Sequence, residues 1–195
     1  SVGVHTVTLV VKDSSGNVDS CTSMVTVLDT IAPMAMCIDT TIYLDATGSV
    51  TIDSSFIDGT VEGCAYTATL SATMFTCDSV GARMVSLYVE DASGNRDTCI
   101  ATVTVLDTLA PMAMCKDTTI YLDASGNATI DSSFIDNGST DNCGIMTMVP
   151  SVTSFTCDSV GVHMVTLVVT DSSGNVDSCT SMVTVMDTLV PMVMC

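Results

Sequence analysis

The sequence has no tryptophan, and phenylalanine and tyrosine together make up only 4% of it. Any core must therefore be aliphatic, assembled from Val, Ile, Leu and Met. A small aliphatic core is a weak one and gains from covalent staples. Basic residues are also scarce. Four Lys and Arg stand against 22 Asp and Glu, a net charge of −18. That balance excludes binding to nucleic acid through a basic face, and it disfavours adsorption to anionic lipid. No apolar run is long enough to span a membrane as a helix. There is no CxxC pair, and the histidines are His5 and His163, so zinc-ligand spacing is absent. Neither histidine has a linked nucleophile pattern. No glycine-containing turn has a phosphate-loop signature.

What the sequence does have is repetition. Asp29-Thr30-Ile31-Ala32-Pro33-Met34-Ala35-Met36-Cys37 returns at Asp107–Cys115 and again at Asp187–Cys195, with offsets of 78 and 80 residues. A longer period lies on top: residues 1–37 match residues 159–195 at 31 of 37 positions, an offset of 158. The expected division is therefore the closing part of one repeat at 1–30, complete repeats at 31–108 and 109–188, and the first strand of another at 189–195. The ends read as cuts through a longer or polymerised array.

The period within each repeat is two. His163 to Thr170 places Val165, Leu167 and Val169 on one face, Asp171-Ser172-Ser173-Gly174-Asn175 is a turn, and Val176 to Met186 returns with Cys179, Val183 and Val185 on one face. Upstream, 112–122 reads as a first strand region and 123–127 as a turn. A short strand follows at 128–131, then a single helical turn at Ser132–Asp136, a polar loop to Asn142, and strands at 144–149 and 152–157. Hydrophobic residues make up 47% of the chain, which excludes a disordered linker. The fold class expected is all-β: tandem immunoglobulin-like β-sandwich repeats of about 80 residues. Each complete repeat holds four cysteines, Cys37, Cys64, Cys77 and Cys99, then Cys115, Cys143, Cys157 and Cys179. Even counts per repeat indicate disulfides and an oxidising compartment.

These segments carry a resemblance. Tyr121-Leu122-Asp123-Ala124-Ser125-Gly126-Asn127-Ala128-Thr129-Ile130, the stretch Ile135–Gly144, Ser154-Phe155-Thr156-Cys157, Val160-Gly161 and the closing hairpin to Asp187 together resemble the hyalin-repeat and related immunoglobulin-like repeats of large secreted proteins of Bacteroidota. The resemblance covers essentially the whole chain. It implies an extracellular filament or long cell-surface adhesin, without enzymatic activity, whose partners are neighbouring repeats or subunits, with surface glycans or other cells as further candidates. Spacer or carbohydrate-binding modules of a secreted enzyme are the alternative. The resemblance also implies O-glycosylation at Asp-Ser/Thr triplets, which fall at Thr30, Thr40, Ser79, Thr108, Thr118, Ser159 and Thr188.

In such a sandwich the first strand and the final turn meet near one pole. This pairs Cys115 with Cys179 and Cys37 with Cys99. By elimination Cys143 pairs with Cys157, and Cys64 with Cys77, among the three pairings that four cysteines allow. Cys21 and Cys195 are left to partners outside the segment. The same pole gathers acids: Asp107, Asp136, Asp141 and Asp171 at one junction, and Asp29, Asp58, Glu62 and Asp91 at the preceding one. Oxygen ligands from three segments suit calcium, against the plain reading of Asp as a turn former. The methionine pairs 34/36, 112/114 and 192/194 alternate, so both members face one side of a strand, which suits core or inter-repeat packing, with a sticky stripe for lateral or end-to-end assembly and copper(I) binding as the alternatives. Pro33, Pro111 and Pro191 stiffen the linkers.

Overall fold

Runs rich in Val, Thr and Ile favour extended backbone, and turns at Asp-x-Ser-Gly-Asn fold each run back on the last. The computed structural model describes residues 2–62 and 65–191, and it is all-β. In chain order the strands are β1 (Gly3–Lys12), β2 (Val18–Val27), β3 (Thr40–Tyr43), β4 (Ser49–Thr51), β5 (Tyr66–Leu70), β6 (Met74–Thr76), β7 (Gly81–Asp91) and β8 (Arg96–Leu106). They continue as β9 (Thr118–Tyr121), β10 (Asn127–Thr129), the one-turn helix α1 (Ser132–Ile135), β11 (Ile145–Pro150), β12 (Ser154–Thr156), β13 (Gly161–Asp171) and β14 (Val176–Met186).

The third repeat is an immunoglobulin-like sandwich. One sheet has the order β11-β13-β14-β9, with β9 parallel to β14 and the other pairs antiparallel. The facing layer is the β10–β12 pair, in which Ala128 sits opposite Phe155. Val165, Leu167, Val169 and Val183 are fully buried, and with Val185, Ile120, Leu122, Ile130, Ile135 and Phe155 they form one core. α1 is the expected helical turn: the Asp131 carboxylate caps it by accepting from Ser133 N at 2.9 Å. The second repeat repeats the scheme, with a β3-β8-β7-β5 sheet and a β4–β6 pair. Ile42, Leu44, Ile57, Phe75, Val85, Leu87, Val89, Val103 and Val105 are buried at the matching positions.

β1 and β2 form a hairpin with the register of β13 and β14: Leu9 faces Cys21 as Leu167 faces Cys179. Yet Leu9 is 60% exposed where Leu167 is 0%.

By contact density the chain forms two compact units. One holds Ser1–Thr40, Ile52–Thr73 and Met84–Val103; the other holds Thr41–Thr51, Met74–Arg83 and Thr104–Cys195. Segments of the second repeat thus group with the third, so compactness does not follow the sequence period.

Three local expectations change. The region 112–122 is not one strand: isolated bridges Met112–Thr140 and Cys115–Asp136 precede β9. Lys116 N is drawn to Ile135 O and the Asp117 side chain takes Met182 N, so the chain crosses between partners before its ladder starts. β12 stops at Thr156, because a capping box between Thr156 and Ser159 turns the chain into a 3-10 turn at Cys157–Ser159. Cys77–Ser79 is built the same way. Third, Met34, Met36, Met112 and Met114 lie on the exposed face of their segments, while the intervening Ala113 packs on the core. Met192 and Met194 lie outside the described residues.

Candidate functional site

The closing hairpins of the two complete repeats end in turns that double as clamps. Asp171 Oδ1 accepts from Ser173 N and Asn175 N at 2.8 Å each, and Oδ2 accepts from Asn175 Nδ2 at 2.8 Å. Asn175 Nδ2 also donates to the linker carbonyls of Asp107 (3.3 Å) and Leu109 (3.1 Å). Asp91 and Asn95 repeat the arrangement on Asp29 and Ile31. The hydrogen bond from the Asn95 side chain holds the Asp91 carboxyl below its ordinary pKa. A further anchor joins Ala113 N to Asp177 Oδ2 at 2.9 Å, and Ala35 N to Asp97 Oδ2 at 2.9 Å. These amide donors hold the Asp177 and Asp97 carboxyls below their ordinary values as well.

The clamp brings linker, turn and loop together. Asp107, Asp141 and Asp171 each offer a carboxylate oxygen, and the three oxygens lie within 4.8 Å of one another. Asp107 is 6% exposed and Asp171 0%. Asp107 Oδ1 accepts from Asn142 Nδ2 and Leu109 N at 3.2 Å each, and Oδ2 accepts from Ser173 Oγ at 3.3 Å. Asp141 Oδ2 accepts from Cys143 N at 2.7 Å. Two oxygens beside this cluster, Asp141 Oδ1 and Asn142 Oδ1, are buried without a hydrogen-bond partner. Three carboxylates at such spacing repel by about 3–4 kcal/mol per pair at an effective dielectric of about 20. No Lys or Arg forms an ion pair with them among the described residues. An all-oxygen donor set of this kind fits a hard divalent cation.

The other acids expected to join are elsewhere. Asp136 turns back on its own loop: Oδ1 accepts from Ser139 N and Oγ at 3.0 and 2.6 Å, and Oδ2 accepts from Gly138 N at 3.2 Å. Burial works to raise its pKa, but the Ser139 and Gly138 hydrogen bonds and the nearby Lys116 charge hold it below the ordinary value. At the preceding junction Asp58 accepts from Thr60 N and the Tyr66 hydroxyl, Asp29 from Ile31 N, and Asp91 from its own turn. Those residues and Glu62 do not form a comparable cluster among the described residues. Asn142 joins the site unannounced by any motif, its one signal being its place between Asp141 and Cys143.

The disulfides are Cys37–Cys99, Cys115–Cys179 and Cys77–Cys143. The first two staple a first strand region to a closing strand within one repeat. The third corrects the pairing: neither Cys64–Cys77 nor Cys143–Cys157 forms, because Cys77 of the second repeat is joined to Cys143 of the third, with Cα atoms 5.3 Å apart. Asn142 Nδ2 reinforces the link by donating to Asp45 O at 3.1 Å. Both bonds lie within the compact unit that joins residues 41–51 and 74–83 to the third repeat. Cys157 and Cys21 are exposed free thiols; Cys64 and Cys195 lie outside the described residues.

Of the threonines and serines in Asp-Ser/Thr triplets, Thr30, Thr108 and Thr188 are exposed, and Thr40, Ser79, Thr118 and Ser159 are half-buried. Ser79 and Ser159 accept from Thr76 N and Thr156 N. His163 holds Ser159 O at 2.6 Å and packs near Phe155.

This set of features defines a disulfide-stapled immunoglobulin-like repeat. No helix among the described residues is long and apolar enough to cross a membrane. Residues 106–185, which coincide with the third repeat, match the family model described as the HYR domain. Hyalin of Strongylocentrotus purpuratus is 33% identical over 208 residues, covering 100% of this chain and 17% of that protein. The chain therefore spans under a fifth of that relative. Over these stretches the chain is similar to hyalin-type repeats. Among solved structures, human protocadherin-24 EC1-2 aligns over 81% of this chain and 100% of that chain, at 11% identity and TM-score 0.46. Human mucin-like protocadherin EC1-2 aligns over 80% of this chain and 100% of that chain, at 12% identity and TM-score 0.41.

Proposed function

We propose that this chain is a load-bearing segment of an extracellular filament or long cell-surface adhesin, in which successive repeats are fastened to one another and recognise copies of themselves. The observation that carries this reading is the Cys77–Cys143 bond. A disulfide inside a repeat stabilises that repeat, whereas one between repeats keeps a junction together under tension. It encloses a 66-residue separation and is worth about 4 kcal/mol on the chain-entropy argument. On this reading residues 1–30 are the closing third of a repeat and residues 189–195 open another.

The same reading gives the acids at Asp107, Asp141 and Asp171 a role. Calcium held by them, with Asn142 Oδ1 as a neutral ligand, ties linker, loop and turn into one rigid joint. Extracellular modules bind calcium with Kd of about 0.1–1 mM. At about 5 mM calcium that stabilises the junction by roughly 1–2 kcal/mol. Melting the chain with and without calcium checks this. Wild type gains several degrees and Asp141→Asn does not; a wild-type melt unmoved by calcium removes the metal from the account. For adhesion, beads coated with the chain are expected to cluster in calcium and disperse in chelator. Beads dispersed under both conditions refute self-recognition.

A further inference from the structure

The second repeat has a receiving face for the loop of the third. Its turn presents Asp45 O to Asn142 Nδ2 (3.1 Å). Gly48, at φ +71°, leaves room that a side chain would close, since a Cβ there would meet Asn142 O at 2.6 Å and Cys77 Sγ at 2.7 Å. Cys77 takes Cys143 covalently, and Asp107 Oδ1 takes Asn142 Nδ2 (3.2 Å).

The third repeat builds the same face from Asp123, Gly126, Cys157 and Asp187. The turn closes with the same hydrogen bond: Gly126 N donates to Asp123 O at 2.9 Å, as Gly48 N does to Asp45 O at 2.9 Å. Gly126 has φ +76°, and a Cβ there would lie 2.5 Å from Cys157 Sγ. Cys157 opens a 3-10 turn with the same Thr/Ser capping box as Cys77. Asp187 Oδ1 accepts from Leu189 N at 2.9 Å, as Asp107 Oδ1 does from Leu109 N at 3.2 Å. Burial is where the two faces differ. Gly48 and Asp107 are buried and Cys77 half-buried, whereas Gly126 is half-buried and Cys157 and Asp187 are exposed.

We propose that Cys157 is an inter-repeat disulfide site, and that its partner is the loop cysteine of a further repeat of this kind. That loop docks on Asp123 O, Gly126 and Asp187 as Asn142-Cys143 docks on Asp45 O, Gly48 and Asp107. The sequence supplies a loop cysteine in every complete repeat, with Cys64 at the place of Cys143, although Gly63 stands where Asn142 supplies its side-chain amide. The rule is a relay: the 3-10-turn cysteine of one repeat bonds to the loop cysteine of the next, giving a covalent ladder along the array. The inference rests on the fastened-repeat reading above.

The bond forms by thiol–disulfide exchange with a small disulfide such as oxidised glutathione. One cysteine thiolate attacks the oxidant and releases one glutathione thiol. The second cysteine thiolate attacks the resulting mixed disulfide and releases the other. The two protein thiols lose two protons and two electrons in all, and the oxidant disulfide becomes two thiols.

The partner repeat can come from the same polypeptide or from a second copy, and two arms separate these. In the first, the full chain is followed by a second copy of residues 116–187, refolded in a glutathione buffer, and mapped by mass spectrometry without reduction. A crosslink between Cys157 and the copied Cys143 is expected, and Cys157→Ser should unmask one alkylatable thiol on the copied loop. In the second, the unextended chain, whose Cys143 is held by Cys77, is oxidised at rising concentration; dimers lost in Cys157→Ser and in Cys64→Ser but not in Cys21→Ser place the partner in a second copy, and dimers that survive Cys64→Ser refute the loop cysteine as partner. If Cys77–Cys143 maps correctly while Cys157 stays alkylatable in both arms, the relay is refuted and the fastened-repeat reading survives. If Cys77–Cys143 is itself missing, both fall.

Discussion

Leu167 and Leu9 are the same residue in the same hairpin register, one sealed in a core and one 60% exposed. Truncating each to alanine is therefore an internally controlled experiment. Leu167→Ala removes three methylene equivalents from a fully buried site, about 2.4 kcal/mol at about 0.8 kcal/mol each. The cavity left in the core adds about 1 kcal/mol, since a sheet-bound core collapses only partly. The total is about 3–4 kcal/mol, which for a unit of this size lowers Tm by roughly 12 °C or more. Leu9→Ala should cost under about 0.5 kcal/mol, as exposed substitutions do. Urea unfolding followed by circular dichroism, with the disulfides intact, reads both. Equal losses in the two variants, or a loss under about 1 kcal/mol at Leu167, would refute the claim that the repeat core lies between the β13–β14 hairpin and its facing strands.

Two further outcomes follow from local geometry. Gly48→Ala meets the Asn142 backbone and the Cys77 sulfur at a positive φ, and should lower stability by about 1–3 kcal/mol. Gly126→Ala meets only the Cys157 sulfur, which can turn aside, so its smaller loss in the same urea assay checks that Gly48 is under a docked loop. Acid should also loosen the fold. Asp91, Asp97 and Asp177 have carboxyls held below their ordinary pKa by amide and Asn donors in the folded state, so their contribution is complete above about pH 4 and is lost as pH falls through the depressed folded values. Denaturation midpoints between pH 5 and pH 2 should fall, and more shallowly in Asp177→Asn; parallel slopes would exclude Asp177 from the linker anchor.

The closing hairpin was legible because its information is local. Val165, Leu167 and Val169 alternate with polar neighbours, and burial of one face admits one register. Cys115–Cys179 was legible for a related reason, since both residues flank elements whose ends must meet. The pairing of Cys77 with Cys143 was not. Elimination assumed that every repeat closes on itself, and spacing alone does not say which repeat a cysteine serves. The capping box that carries Cys77 and Cys157 off the strand line was present in the sequence as Thr-Cys-Asp-Ser, and it is the feature that sets both sulfurs on the receiving face. At the acid cluster, composition identified the loop but not which of Asp136 and Asp141 turns toward Asp107. Ser139 decides that by engaging Asp136, which no periodic pattern encodes.

The central claim is that consecutive repeats are covalently fastened to one another. Disulfide mapping of the oxidised 195-residue chain, cleaved without reduction, tests it most directly. The structure predicts a Cys77–Cys143 crosslink beside Cys37–Cys99 and Cys115–Cys179. A map showing Cys143 bonded to Cys157, or Cys77 to Cys64, would mean that each repeat closes on itself, and would contradict it.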